Sequence, residues 1–142
     1  MSNSLDVWEY KDCISSTVDA AADVIRILVE QLEKFQWSEK DSFAVHMATE
    51  EAILNAVKHG NEFDETKQVD VELRLTGDSF FARISDQGSG FDPSEVPDPC
   101  DDCNLEKTSG RGVSLIKNFV DQVKFNESGN TIEFSKKRID LE

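Results

Sequence analysis

The sequence predicts an α+β protein, a two-layer sandwich of three helices on a mixed, mainly antiparallel sheet. Three observations carry this prediction. Two consecutive segments near the start repeat apolar residues at helical spacing. A middle segment alternates apolar and polar residues around a turn. The last third adds one more helical repeat and a second hairpin.

The elements follow in order. LDVWEYK, Leu5 to Lys11, is rich in aromatic and β-branched residues and reads as a first strand. Ser16 with Asp19 three positions on resembles a capping box. Behind it Val18, Ala21, Ala22, Ile25, Leu28, Val29, Leu32 and Phe35 define an amphipathic helix over about residues 17–36. Ser38 with Asp41 starts a second helix, which runs to Gly60, a residue suited to a left-handed stop. Strict alternation at Val69, Val71, Leu73 and Leu75, a turn at Thr76–Ser79 and a strand ending at Asp86 make an antiparallel hairpin. Residues 87–109 contain several acids and five Gly or Pro residues, and follow neither period. A loop this long is expected to be a lid or a binding loop. Val113, Ile116, Phe119 and Val120 restore helical spacing, and VKFNESGNTIEFSKK closes as a hairpin with Gly129 and Asn130 in its turn.

Length and composition narrow the function classes. The 142 residues fit one domain, 1–142, and 38% hydrophobic with 31% charged residues fits a folded globular chain. A formal charge of −14 argues against direct nucleic-acid binding, which needs Lys and Arg opposite phosphates. The short run Lys136, Lys137, Arg138 reads as a solvated strand end. No apolar run approaches the roughly 20 residues that span a bilayer, and MSNSLDVWEYKD has no signal pattern, so a cytoplasmic protein without membrane contact is expected. Three cysteines in such a chain are expected to be reduced thiols. Cys100 and Cys103 form a C-x-x-C in an acidic loop between prolines. Zinc would need further ligands, and Cys13, His46 and His59 lie far off in sequence; a loop that happens to hold two thiols is the reading adopted.

Three clusters could carry chemistry. In MATEEAILNAVKHGN, Glu51, Asn55 and His59 lie one helical turn apart, each about 40° round from the last. A stripe of Ala48, Ala52 and Ala56 runs beside them, a surface that a backbone or flat ligand could approach. Val45, Met47, Ile53, Leu54 and Val57 cover much of the rest. In DQGSGFDP, Asp86 ends a strand, and Gly88 and Gly90 follow where the chain must turn or admit a ligand. In TSGRGVSLI, Gly110 and Gly112 open a helix whose free N–H groups would suit phosphate, with Thr108, Ser109 and Arg111 as further donors. Each cluster alone has a plain explanation: a helix edge in solvent, a strand-to-turn junction, a helix cap. The third is neither a Walker A nor a Rossmann fingerprint.

Together, E-x-x-x-N on a helix, D-x-G-x-G after a strand and G-x-G opening a later helix resemble the N, G1 and G2 boxes of the Bergerat (GHKL) ATP-binding fold. The likeness covers about residues 40–135. EEAILNAVKHGN, DQGSGFDP, SGRGVSLI and the closing GNTIEFSKK look most like the anti-sigma-factor serine/threonine protein kinases of that superfamily. The resemblance implies ATP and Mg²⁺ as cofactors and residues 87–109 as an ATP lid. Asn55 would hold the Mg²⁺, and Glu51 would be the base that takes the proton from the attacking hydroxyl. Asp86 would accept from the exocyclic amine of adenine, Gly88 and Gly90 would let the loop approach, and Thr131 would sit near the base. Gly110, Arg111 and Gly112 would face the phosphates, with Thr108 and Ser109 in the lid; Phe91 and Val113 complete the implied ATP-binding set. Arg111 would add charge there or point at a partner, and Lys58 or His59 would either reach the nucleotide too or serve packing and solvent contact.

A histidine kinase would carry its acceptor histidine on a separate dimerisation helix, whereas His46 and His59 lie in the ATP-box helix. The position of Glu51 is usually not acidic in those enzymes, so histidine autophosphorylation is not expected. The resemblance implies a kinase that phosphorylates a STAS-type anti-sigma-factor antagonist, sequesters a sigma factor and works as a homodimer. The alternative is an ATP-loaded module that changes partners through its lid with negligible catalysis.

Overall fold

The computed structural model describes residues 7–88, 116–126 and 130–139. The chain runs through β1 (Val7–Ser15), α1 (Val18–Lys34), α2 (Glu39–Asn55) and a π turn (Ala56–Gly60). It continues through β2 (Gln68–Thr76), β3 (Ser79–Ser85), helical residues 116–119 (α3), β4 (Gln122–Phe125) and β5 (Thr131–Lys137). The sheet order is β1-β2-β3-β5-β4, and all four pairings are antiparallel. The parallel component of the expected mixed sheet is therefore not found among the described residues.

Alternation turns one face of the sheet inward. Val69, Val71, Leu73 and Leu75 of β2 are buried, as are Phe80, Ala82 and Ile84 of β3 and Ile132 and Phe134 of β5. Against this face α1 sets Ala21, Val24, Ile25, Leu28 and Leu32, α2 sets Val45, Ala48, Ala52 and Ile53, and α3 sets Ile116. Burying one such Leu or Ile side chain stabilises by about 1.5–3 kcal/mol, so helix-on-sheet packing is the main force holding the sandwich. The alanine stripe belongs to this core: Ala48, Ala52 and Ala56 are buried against protein rather than open to a ligand.

Several expectations shift by local detail. β1 runs on to Ser15 because it pairs with β2 over its whole length, ending at Ser15 opposite Gln68. Ser38 caps α2 as read, its Oγ accepting from Asp41 N at 3.1 Å. Ser16 does not cap α1. Thr17 does, accepting from Ala20 N at 3.1 Å, while Ser16 is buried and donates to the carbonyl of Lys67. α2 does not run unbroken to Gly60 either. It ends at Asn55 and widens into the π turn, closed by Asn61 N donating to Ala56 O at 2.8 Å. The left-handed residues come later, at Glu62 and Phe63.

The strand end Lys136–Arg138 is not simply solvated. Lys136 is 4% exposed and its Nζ lies 3.5 Å from Asp41 Oδ1, joining the end of β5 to the first turn of α2. Asp41 Oδ2 also accepts from Ile139 N, and the Arg138 guanidinium donates to the carbonyls of Gly77 and Gln36. Only Lys137 is exposed as expected. Cys13 is a free thiol on the outer face of the sheet, donating to Asp70 Oδ1 at 2.8 Å. That hydrogen bond to the Asp70 carboxylate pushes the thiol's pKa up. No helix among the described residues is long and apolar enough to cross a membrane.

Candidate functional site

Glu51 and Asn55 occupy the last two turns of α2, both half-buried. Among the described residues, neither side chain is drawn into a hydrogen bond or ion pair. Glu50 is different, lying 3.7 Å from His46 one turn back. A half-buried carboxylate and amide left free in this way suit a ligand-facing role. His59 and Lys58 are exposed on the π turn.

The π turn beyond Asn55 carries the chain to the end of β3. There Gly60 packs against Asp86 so closely that a Cβ on Gly60 would collide with the Asp86 carboxyl. A Cβ on Gly88 would collide in turn with the carbonyl of Gly60. Both glycines are thus explained by close approach, Gly88 to the end of the helix segment and Gly60 to the acid itself.

Asp86 is fixed from three sides. Its backbone N–H donates to Asn130 O at 2.9 Å, and its carbonyl accepts from Asn130 Nδ2 at 3.3 Å. Its Oδ1 accepts from Gly88 N at 2.9 Å. Beside it Ser85 Oγ and Thr131 Oγ1 are 2.8 Å apart, which puts Thr131 next to Asp86 across the β3–β5 pair. Burial pushes the Asp86 carboxyl above its ordinary value, and the Gly88 N–H and the charge of Lys67 offset this only in part. The Asp86 carboxylate is a hydrogen-bond acceptor held in position at the rim of the sheet.

The structure therefore brings Gly60, at the end of the π turn beyond Asn55, together with Asp86, Gly88 and Thr131 at one end of the sandwich. Gly90, Phe91, Thr108, Ser109, Gly110, Arg111, Gly112 and Val113 lie outside the described residues, as do Cys100, Cys103 and the lid apart from residues 87 and 88. Three participants were not legible beforehand. Asn130 read as a turn residue, whereas it holds the backbone of Asp86. Asn61 and Gln87 sit beside recognisable motifs, yet nothing in their spacing announces that they bond to each other.

The family model for the histidine kinase-like ATPase domain matches residues 14–136, and the chain belongs to that family. The chain is 31% identical over 100 residues to the serine-protein kinase RsbW of Listeria innocua. That match takes in 63% of this chain and 62% of the relative, so this chain spans under two thirds of the relative's length. It is 25% identical over 122 residues to the serine/threonine-protein kinase BtrW of Bordetella bronchiseptica, covering 84% of this chain and 83% of that protein. Its fold is similar to the crystal structure of the RsbU and RsbW domains of Rv1364c from Mycobacterium tuberculosis. There the TM-score is 0.62 at 18% identity, over 92% of this chain and 32% of that one.

Proposed function

We propose that this chain is a single-domain, Mg·ATP-dependent serine/threonine protein kinase and anti-sigma factor. Its substrate is a STAS-type anti-sigma-factor antagonist in a partner-switching system, and residues 87–109 serve as its ATP lid. The observation that carries the reading is the placement of Asp86: a carboxylate held by Gly88 and Asn130, reached from α2 by the turn at Gly60. Such an acceptor suits the exocyclic amine of adenine and repels the carbonyl that guanine presents at the same edge. Family membership supports ATP as the nucleotide, and the names of the two relatives support protein phosphorylation.

Within that reading Asn55 holds Mg²⁺ through its amide oxygen. Nucleotide-bound Mg²⁺ takes one or two protein ligands beside phosphates and water, so one free amide oxygen fits its chemistry. The ion, when bound, neutralises phosphate charge. Glu51, one turn earlier, orients the attacking hydroxyl and takes its proton, which in phosphoryl transfer is mostly positioning. Gly90, Phe91, Thr108–Val113 and Thr131 complete the nucleotide site. The partners are the STAS protein, a sigma factor and a second copy of the chain, in the cytoplasm.

Purified protein with labelled ATP, Mg²⁺ and a cognate STAS protein is expected to yield phosphoserine or phosphothreonine. Glu51→Gln is expected to abolish transfer and keep ATP binding. Transfer at the wild-type rate by that variant would remove Glu51 as the base. ATP binding with no transfer by the wild type would favour the partner-switch module without catalysis.

A further inference from the structure

We propose that Asn61 is a positioning residue for nucleobase selection, acting through the turn that carries Asp86. The proposal rests on the reading of Asp86 as the adenine acceptor. Asn61 is fully buried, immediately beyond the π turn. Its Nδ2 donates to Ser16 Oγ at 2.8 Å and to the carbonyl of Gln68 at 3.0 Å, while its Oδ1 accepts from Gln87 N at 2.8 Å. The amide can be oriented in only one way, because a flip would set its NH₂ against the Gln87 N–H and its oxygen against the Gln68 carbonyl. Two further bonds close the network. Ser16 Oγ donates to Lys67 O at 2.8 Å, and Gln68 N donates to Gln87 Oε1 at 2.7 Å.

One buried amide thus joins the β1–α1 junction, the start of β2 and the turn after β3. Gln87 stands between Asp86 and Gly88, and Gly88 N is the donor that aims Oδ1 of Asp86. Anchoring the Gln87 N–H therefore sets where that donor sits, and through it the angle of the carboxylate. A carboxylate separates adenine from guanine only if it stays opposite the exocyclic position, since a displaced one loses the amine and no longer repels the carbonyl. Asn61 itself is enclosed by protein and touches no nucleotide in this arrangement.

The test compares ATP and GTP affinities, by calorimetry with Mg²⁺, for wild type, Asp86→Asn, Asn61→Ala and Gln87→Pro. Gln87 is exposed in the turn after β3, outside any strand, so its variant is expected to fold even if Asn61→Ala does not. Wild type is expected to prefer ATP, and Asp86→Asn to lose the preference. Asn61→Ala is expected to reduce the ATP-over-GTP ratio by about three- to tenfold, the worth of one positioned hydrogen bond, and Gln87→Pro, which removes the N–H that Asn61 accepts from, by a similar factor. A residue that only stabilised the fold would lower the melting temperature and leave this ratio unchanged. Wild-type ratios in a folded Asn61→Ala, or in Gln87→Pro should the first variant not fold, would overturn the proposal while leaving the adenine site intact. No preference in wild type, or full preference in Asp86→Asn, would overturn the adenine reading and this proposal with it.

Discussion

At the scale of single residues, Asp86 is under two opposed demands. Folding half-buries its carboxylate beside two glycines and raises its pKa above the ordinary 3.8, so the folded chain binds that proton more tightly than the unfolded one. The stability this contributes is present in full below 3.8 and is lost as pH rises through the folded pKa. Adenine binding has the opposite sign, because only the ionised carboxylate is a pure acceptor. Asp86→Asn is therefore expected to melt no lower than wild type at neutral pH while binding ATP about tenfold or more weakly. As pH falls, wild type is expected to lose ATP affinity through a step above the range of an ordinary aspartate; calorimetry on Asp86→Asn should show no such step. Gly60→Ala forces a methyl into the same carboxyl group. It is expected to destabilise by about 1–3 kcal/mol in urea unfolding and to weaken ATP binding along with stability. The motif made Asp86 legible in the sequence, but not its contact with Gly60, since 26 positions separate two residues that only the fold brings together.

At the scale of elements, helix starts turn on one side chain each. Ser38 was readable because its oxygen meets Asp41 N three residues on. Ser16 and Thr17 both offered a hydroxyl, and tertiary structure chose between them: the buried network claims Ser16, which leaves Thr17 to cap α1. Thr17→Ala is expected to cost about 0.5–2 kcal/mol in urea unfolding, the usual worth of an N-cap, with little effect on nucleotide affinity. The π turn is a subtler case. Apolar spacing continues through Ala56 and Val57, which are both buried, so periodicity reads a longer α-helix. The extra residue in the turn shows only in the bond from Asn61 N to Ala56 O. Its effect is to bring Gly60 against Asp86 and Asn61 under Gln87.

At the scale of the whole molecule, the last strand does most to connect distant parts. β5 comes at the end of the chain, yet it lies between β3 and β4. One end of it places Asn130 and Thr131 beside Asp86, and the other buries Lys136 against Asp41. Removing one member of a buried pair leaves the other charge desolvated, so Lys136→Met is expected to destabilise by about 3–5 kcal/mol in urea unfolding. Asp41→Leu/Lys136→Met is expected to recover part of that loss, because no buried charge is then left behind. The recovery should be incomplete, since Asp41 also accepts from Ile139 N. A charged run at the end of a strand looks solvated in sequence, and only the sheet order shows that Lys136 points under α2.

By itself the sequence determined the layers, the inward face of each strand and the acid and glycine, Asp86 and Gly88, of the turn after β3. Those features depend on short-range periods and on residue types at fixed spacing. Tertiary structure decided which serine or threonine caps α1, where α2 gives way to a π turn, why Gly60 and Gly88 lack side chains, and which buried groups hold Asp86. Each of those depends on atoms brought together from far apart in the chain. Hydrogen bonds and close contacts act over a few ångströms of space, and sequence distance carries no record of them.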